Sequence, residues 1–241
     1  MTASSPRNDL VERAGPAPDH PIVRPIVYPD SDGLPMSDNT KQFAWIMLLQ
    51  GNLDALRPDF VAGDHLWYPV EGRPDIRVAP DVYVAIGRPK GHRGSYQQWK
   101  EDGVAPQVVF EVLSPSNSTR EMMRKTRFYE RYGAQELIVI DPDDETGWAF
   151  VRHPDGDWRE VGDLDGWTSP LLGIRFVRED GKLLVFRPDG ARFLSFTELQ
   201  ARVSAESQRA EAESQRAEAE SQRAARLAAK LAALGLDPDA P

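Results

Sequence analysis

Two carboxylates in this 241-residue chain sit where a carboxylate is expensive. Glu111 occupies the middle of Val108-Val109-Phe110-Glu111-Val112-Leu113. A charge in such an apolar run is costly unless it is paired, protonated or bound to a metal. Asp81 follows Pro80 at the start of a second apolar run, Val82-Tyr83-Val84-Ala85-Ile86. If the two runs are neighbouring strands, the acids form a pair of hard oxygen donors of the kind that suits Mg²⁺ or Mn²⁺. Fourteen residues after Glu111, Lys125 has Glu121, Met122, Phe128 and Tyr129 as its helical neighbours, so its ammonium can be directed inward. Two plainer readings compete: Glu111 makes only a salt bridge to an arginine on the following helix, and Lys125 snorkels to solvent at the edge of its face.

The elements that must position these residues are legible in outline. A helical pattern carries Phe43, Ile46, Met47, Leu49 and Leu53, with Ser37 or Asp38 as its cap. Strands are expected at His65–Val70, Asp81–Ile86, Gln107–Leu113 and Leu137–Pro142, the last two buried on both faces. Between those two, Ser114-Pro115-Ser116-Asn117-Ser118 supplies a turn and cap for a helix over Thr119–Tyr132, stopped by Gly133. Short strands at Trp148–His153, Trp158–Val161, Leu172–Val177 and Leu183–Arg187 suggest an antiparallel extension of the sheet. The order fits a mixed α/β core.

Composition narrows the chemistry further. The chain has no cysteine, which excludes disulfides, thiolate-bound zinc, iron–sulfur clusters and a cysteine nucleophile. Its longest apolar run, Phe43–Leu49, is far too short to cross a bilayer, so no membrane partner is expected. The first residues lack the apolar core of a signal peptide, which makes a cytoplasmic location the expectation. The net charge of −9 argues against a protein that coats nucleic acid indiscriminately. Yet residues 86–132 carry a net +4, from bases that include Arg88, Lys90, Arg93, Arg120 and Arg124. These five are the candidate nucleic-acid contacts, on a basic surface expected around the carboxylate pair. The glycine-rich loop Gly87–Gly94 lacks the Gly-Lys-Ser/Thr ending of a P-loop.

The runs Val78-Ala79-Pro80-Asp81-Val82-Tyr83-Val84, Phe110-Glu111-Val112-Leu113-Ser114-Pro115-Ser116 and Lys125-Thr126-Arg127-Phe128-Tyr129, with Tyr132-Gly133, resemble the Uma-two family of endonucleases. That family belongs to the restriction-endonuclease-like superfamily with the PD-(D/E)XK motif, and the resemblance runs from about Tyr28 to Leu199. It implies a restriction-endonuclease-like fold: a mixed β-sheet flanked by helices, with an antiparallel β extension and a C-terminal helix. It also implies that Asp81, Glu111 and the Val112 carbonyl hold Mg²⁺ (or Mn²⁺), and that Lys125 is the catalytic lysine. The superfamily usually places that lysine two residues after the glutamate, but here Leu113 stands there. Lys125 would therefore act from the next helix. Asp38 matches a further acid on the family's early helix, and is equally explained as a helix cap. The implied reaction is phosphodiester hydrolysis, with DNA the expected partner and a homodimer a further expectation.

On this basis residues 1–20 read as a mobile N-terminal arm, 21–200 as the restriction-endonuclease-like domain, 201–234 as a charged helix and 235–241 as a tail. The helix carries Ala205-Glu206-Ser207-Gln208-Arg209-Ala210-Glu211, which recurs twice more at intervals of seven except that the last copy ends in Ala225, with Glu–Arg pairs at i,i+3. Alanine is the only apolar residue of its seam until Leu227, Leu231 and Leu234, so it would pair weakly by itself. Two alternatives to the nuclease stay open: a metal-independent hydrolase using the two carboxylates, and a nuclease-fold module that recruits a partner through the C-terminal helix.

Overall fold

The computed structural model describes residues 26–31, 33, 37 and 39–233. The expected arm at 1–20, the tail at 235–241, Asp38 and Leu234 lie outside the described residues. A six-stranded mixed sheet forms the centre, in the order β1-β3-β5-β6-β7-β8. Its strands are β1 (Asp59–Gly63), β3 (Val82–Pro89), β5 (Val108–Val112), β6 (Glu136–Asp141), β7 (Thr146–Arg152) and β8 (Trp158–Val161). Within this sheet only β5 and β6 run parallel, joined by the crossover helix α2 (Thr119–Tyr132). A parallel pair β2 (Trp67–Tyr68) and β4 (Tyr96–Gln97) stands apart from it.

The period of two along each strand divides the core into two layers. Val82, Val84, Val108, Phe110, Ile138 and Ile140 face α1 (Thr40–Leu56), which buries Ile46, Leu49 and Leu53. Tyr83, Ala85, Val109, Leu137 and Val139 face the other way, toward Tyr129 on α2. By the same alternation Asp81 and Glu111 belong to the α2 side. The ends of α2 are those the sequence indicates. Ser118 Oγ accepts from the Glu121 N–H at 3.2 Å, and Gly133 takes the left-handed conformation (φ 107°) that a side chain would disfavour.

Four features differ from expectation. The cap of α1 is Asn39, whose Oδ1 accepts from the Gln42 N–H at 2.9 Å, rather than Ser37 or Asp38. Phe43 and Met47 lie on the exposed side of that helix instead of its buried stripe. β1 is an additional edge strand whose short sequence, Asp-Phe-Val-Ala-Gly, carries little periodicity. Finally, β9 (Arg175–Glu179) and β10 (Lys182–Phe186) do not extend the main sheet, although β7 and β8 do. They form their own hairpin across Asp180-Gly181, both at positive φ, and bury Phe176, Leu183 and Val185 in the α1-side layer.

The C-terminal helix α3 (Phe196–Ala233) is 38 residues long, about 57 Å at 1.5 Å per residue. It begins at Phe196, ahead of the expected start at residue 201, because Ser195 and Glu198 form a reciprocal capping box: Glu198 N–H to Ser195 Oγ at 3.2 Å, Ser195 N–H to Glu198 Oε2 at 2.8 Å. No helix among the described residues is long and apolar enough to cross a membrane.

Candidate active site

The antiparallel register of β3 on β5 pairs Val82 with Phe110 and Tyr83 with Val109. One step further along the same ladder sets Asp81 opposite Glu111, on the α2 side of the sheet. Asp81 is locked there by its own chemistry: Oδ2 accepts from the Val112 N–H at 2.6 Å. Its backbone carbonyl accepts from the Asp64 N–H at 3.0 Å. A β-carbon at Gly63 would lie 3.2 Å from that carbonyl, so the small residue before Asp64 lets β1 approach.

Helix α2 supplies the other half. Lys125 and Tyr129, one turn apart, both point at the sheet and take the two oxygens of Glu111. Lys125 Nζ donates to Oε2 at 2.8 Å, and the Tyr129 hydroxyl donates to Oε1. Glu111 is only 2% exposed and Tyr129 is fully buried. Thus Lys125 does turn inward, and the salt-bridge partner of Glu111 is this lysine rather than an arginine. From the opposite layer Gln42 reaches through to the same strand end, its Nε2 donating to the Val112 carbonyl at 2.9 Å. The one signal for Gln42 in the sequence is its spacing: residues 42, 46, 49 and 53 form the buried stripe of α1, and a buried amide in that stripe needs a partner.

The charges of this cluster do not balance. Two buried carboxylates face one ammonium. Burial, then the neighbouring Glu111, pushes the Asp81 carboxyl up to about 8, against the opposing pull of Lys125 and the Val112 N–H. Burial works against the Lys125 charge, but Glu111 and Asp81 outweigh it and the lysine is held above its ordinary range. Burial and Glu111 push Tyr129 well above the usual phenol value, so it stays a donor. The cluster therefore binds either a proton or another cation. Two opposed carboxylates with a main-chain carbonyl beside them are hard donors, and the surplus negative charge fits a divalent ion of the magnesium type. The described residues hold no cluster of three or more acidic, histidine or cysteine side chains suited to a metal. Any ion here would rest on the two carboxylates and the Val112 carbonyl, with water completing its shell.

The candidate nucleic-acid contacts separate into two groups. Arg88, Lys90 and Arg93 do not surround the carboxylate pair, contrary to expectation. Asp81 stands just before β3 and Arg88 near its far end, seven residues and roughly 20 Å along an extended strand. All three are also engaged: Arg88 with Asp102 at 2.5 Å, Lys90 with Asp54 at 3.0 Å, and Arg93 with Glu101 at 2.6 Å. Arg93 further lies over the Phe60 ring, 4.0 Å from its centroid. Arg120 and Arg124, by contrast, start a stripe on the outer face of α2 that continues through Arg127 and Arg131. All four are exposed, and among the described residues none is ion-paired. Arg127 and Arg131 complete the stripe at the i,i+3 and i,i+4 spacing that the sequence already contains.

With the geometry in place, comparison with known proteins gives three findings. The model of the Uma2 family, described as "Putative restriction endonuclease", matches residues 39–179, from the cap of α1 to the end of β9. A solved structure from Anabaena variabilis, described as a "putative nuclease belonging to DUF820", is 18% identical and aligns with a TM-score of 0.38. That alignment covers 55% of this chain and 73% of the other. No curated protein matches the chain.

Proposed function

The chain belongs to the Uma2 family of restriction-endonuclease-like proteins, and from that premise we propose that it is a divalent-metal-dependent nuclease that hydrolyses phosphodiester bonds of DNA. The observation that carries this reading is the buried Asp81–Glu111 pair with Lys125 fixed on it from α2. Asp81, Glu111 and the Val112 carbonyl are the groups that would hold the ion. Bound there, Mg²⁺ or Mn²⁺ would supply Lewis acidity and a water of lowered pKa.

The protein's own residues have distinct tasks. Glu111 orients Lys125, and Tyr129 fixes Glu111 from the other side, so the ammonium is held in one position before substrate arrives. Lys125 is held above its ordinary pKa, so it is charged at neutral pH. In that state it can donate to an anionic phosphate oxygen and stabilise charge there. Gln42 holds the Val112 carbonyl, which steadies the end of β5 that bears Glu111 and whose Val112 N–H holds Asp81. The unpaired arginine stripe on α2 offers contacts to a phosphate backbone, which position a substrate without reading its sequence.

The test is cleavage of linear and supercoiled DNA by the purified chain, with Mg²⁺ and with a chelator. Cleavage is expected only with the metal, and Asp81→Ala, Glu111→Gln and Lys125→Ala should each lose it while keeping the circular-dichroism spectrum of the parent. Full activity in any one of these variants removes that residue from the site. Metal-dependent cleavage that survives in all three sinks the proposal.

A further inference from the structure

Beyond its base, helix α3 packs on nothing among the described residues. From Ala201 to Leu227 every residue is exposed, yet its ends are apolar. Phe196, Leu199 and Val203 at the base are 76%, 49% and 58% exposed, and Leu227 near the far end is 53% exposed. These residues belong to one heptad frame. Taking Phe196 as position a, the a positions run Phe196, Val203, Ala210, Ala217, Ala224 and Leu231. The d positions run Leu199, Glu206, Glu213, Glu220 and Leu227, and in sequence the next is Leu234. The frame holds across 31 residues, from the base apolar patch to the distal one. Isolated surface leucines would need no such phase.

The two directions of pairing have opposite consequences. Parallel and in register, Glu206, Glu213 and Glu220 would each face their own copy in the seam, three successive like-charge layers. Antiparallel, a positions face d positions, and one register satisfies the whole helix. Val203 then faces Leu227 of a second copy, and Leu199 faces Leu231. In the middle, Glu206 faces Ala224 and Glu213 faces Ala217, so no glutamate meets another. Glu220 likewise faces Ala210, and Arg209, Arg216 and Arg223 stand one residue before Ala210, Ala217 and Ala224, which sets a cation beside every buried acid. The distal leucines arrive where apolar surface is waiting. The base of α3 and the outer face of α1 bound a groove of about 830 Å³, lined by Phe43, Met47, Phe196, Leu199 and Val203 among others. Phe43 and Met47, which the α1 core leaves outside, are thereby covered.

We propose that the chain is an antiparallel homodimer through α3, in which Leu227 and Leu231 of each copy fill the α1–α3 groove of the other. The three polar heptads then act as a spacer that sets the register, and the apolar ends supply the contact. The seam by itself is weak, as its alanines require; the groove on α1 supplies what it lacks.

The absence of cysteine gives a direct test. Val203→Cys and Leu227→Cys in one chain lie about 36 Å apart along their own helix, too far to close on each other. Under oxidation the double variant should give a covalent dimer, and neither single variant should. Light scattering of the full native chain should give about twice 27.0 kDa, and Leu227→Asp with Leu231→Asp should return it to the monomer mass with the helical signal kept. Three results overturn the proposal. A native chain that stays monomeric leaves the groove to a different protein. Cross-linking of Val203→Cys alone requires parallel pairing. A doubled native mass without cross-linking of the double variant puts the dimer interface elsewhere.

Discussion

Glu111 and Glu136 are buried to the same degree on adjacent parallel strands, 2% and 1% exposed, and the protein uses them differently. Glu136 begins β6 and lies on the α1 side. Its oxygens accept from the Ser169 hydroxyl and from the Leu171 N–H at 2.8 Å, both neutral donors, and it ties the segment before β9 to the sheet. Burial raises its pKa while those two donors lower it, and the net direction is up. Glu111 lies near the carboxyl end of β5 on the other side, where ligands of open α/β sheets gather. It meets an ammonium and a second carboxylate. A buried acid alone is thus no sign of catalysis. What distinguishes Glu111 is a charge imbalance at a strand end that only a proton or a cation can remove.

That contrast can be broken most sharply by activity. Glu111→Gln and Asp81→Ala should each lower the rate of DNA cleavage by about 100-fold or more, the scale expected for groups acting in the transition state. Glu136→Gln should leave it within about two-fold, as measured by initial rates.

Stability should separate the two acids in the opposite order. Glu136→Ala strands two buried donors and should cost about 1–3 kcal/mol in urea unfolding. Asp81→Asn keeps an acceptor for the Val112 N–H and relieves the repulsion from Glu111, so metal-free protein at pH 8 should unfold at a higher urea concentration than the parent.

The pH dependence follows with a worked sign. Both Asp81 and Glu136 have folded-state pKa values above their ordinary ones, so the folded chain binds protons more tightly than the unfolded chain. Stability should therefore fall as pH rises through each window, for Asp81 from about 4 to about 8. Mg²⁺ should cancel the Asp81 part and leave the Glu136 part, and Glu136→Gln should remove the latter. Urea midpoints at pH 5 and pH 8, with and without Mg²⁺, measure both.

The smallest effect concerns the bases. Replacing Arg120, Arg124 and Arg127 by alanine should weaken DNA binding uniformly and flatten its salt dependence by about 0.9 per lost phosphate contact. Arg88→Ala should change little, because that guanidinium already neutralises Asp102.

What the sequence revealed was set by locality. α2 could be bounded to the residue, because Ser118 and Gly133 act within one turn of its ends. Asp81 and Glu111 stood out because a strand's apolar context makes a carboxylate conspicuous. The features that escaped depend on distant partners. Gln42 is 70 residues from the carbonyl it holds, and Glu136 is 33 from Ser169. Lys90 finds Asp54 across 36 residues, so a loop that looks basic in sequence is neutralised in space. β9 and β10 showed their strand character but not their choice of partner, which the turn at Asp180-Gly181 decides.

Calorimetric titration of Mn²⁺ into the chain at pH 8 and into Glu111→Gln tests the central claim most directly. One site in the parent, absent from the variant and accompanied by proton release as Asp81 ionises, is the result this account predicts. Equal Mn²⁺ binding by the two proteins, or none by the parent, would contradict it.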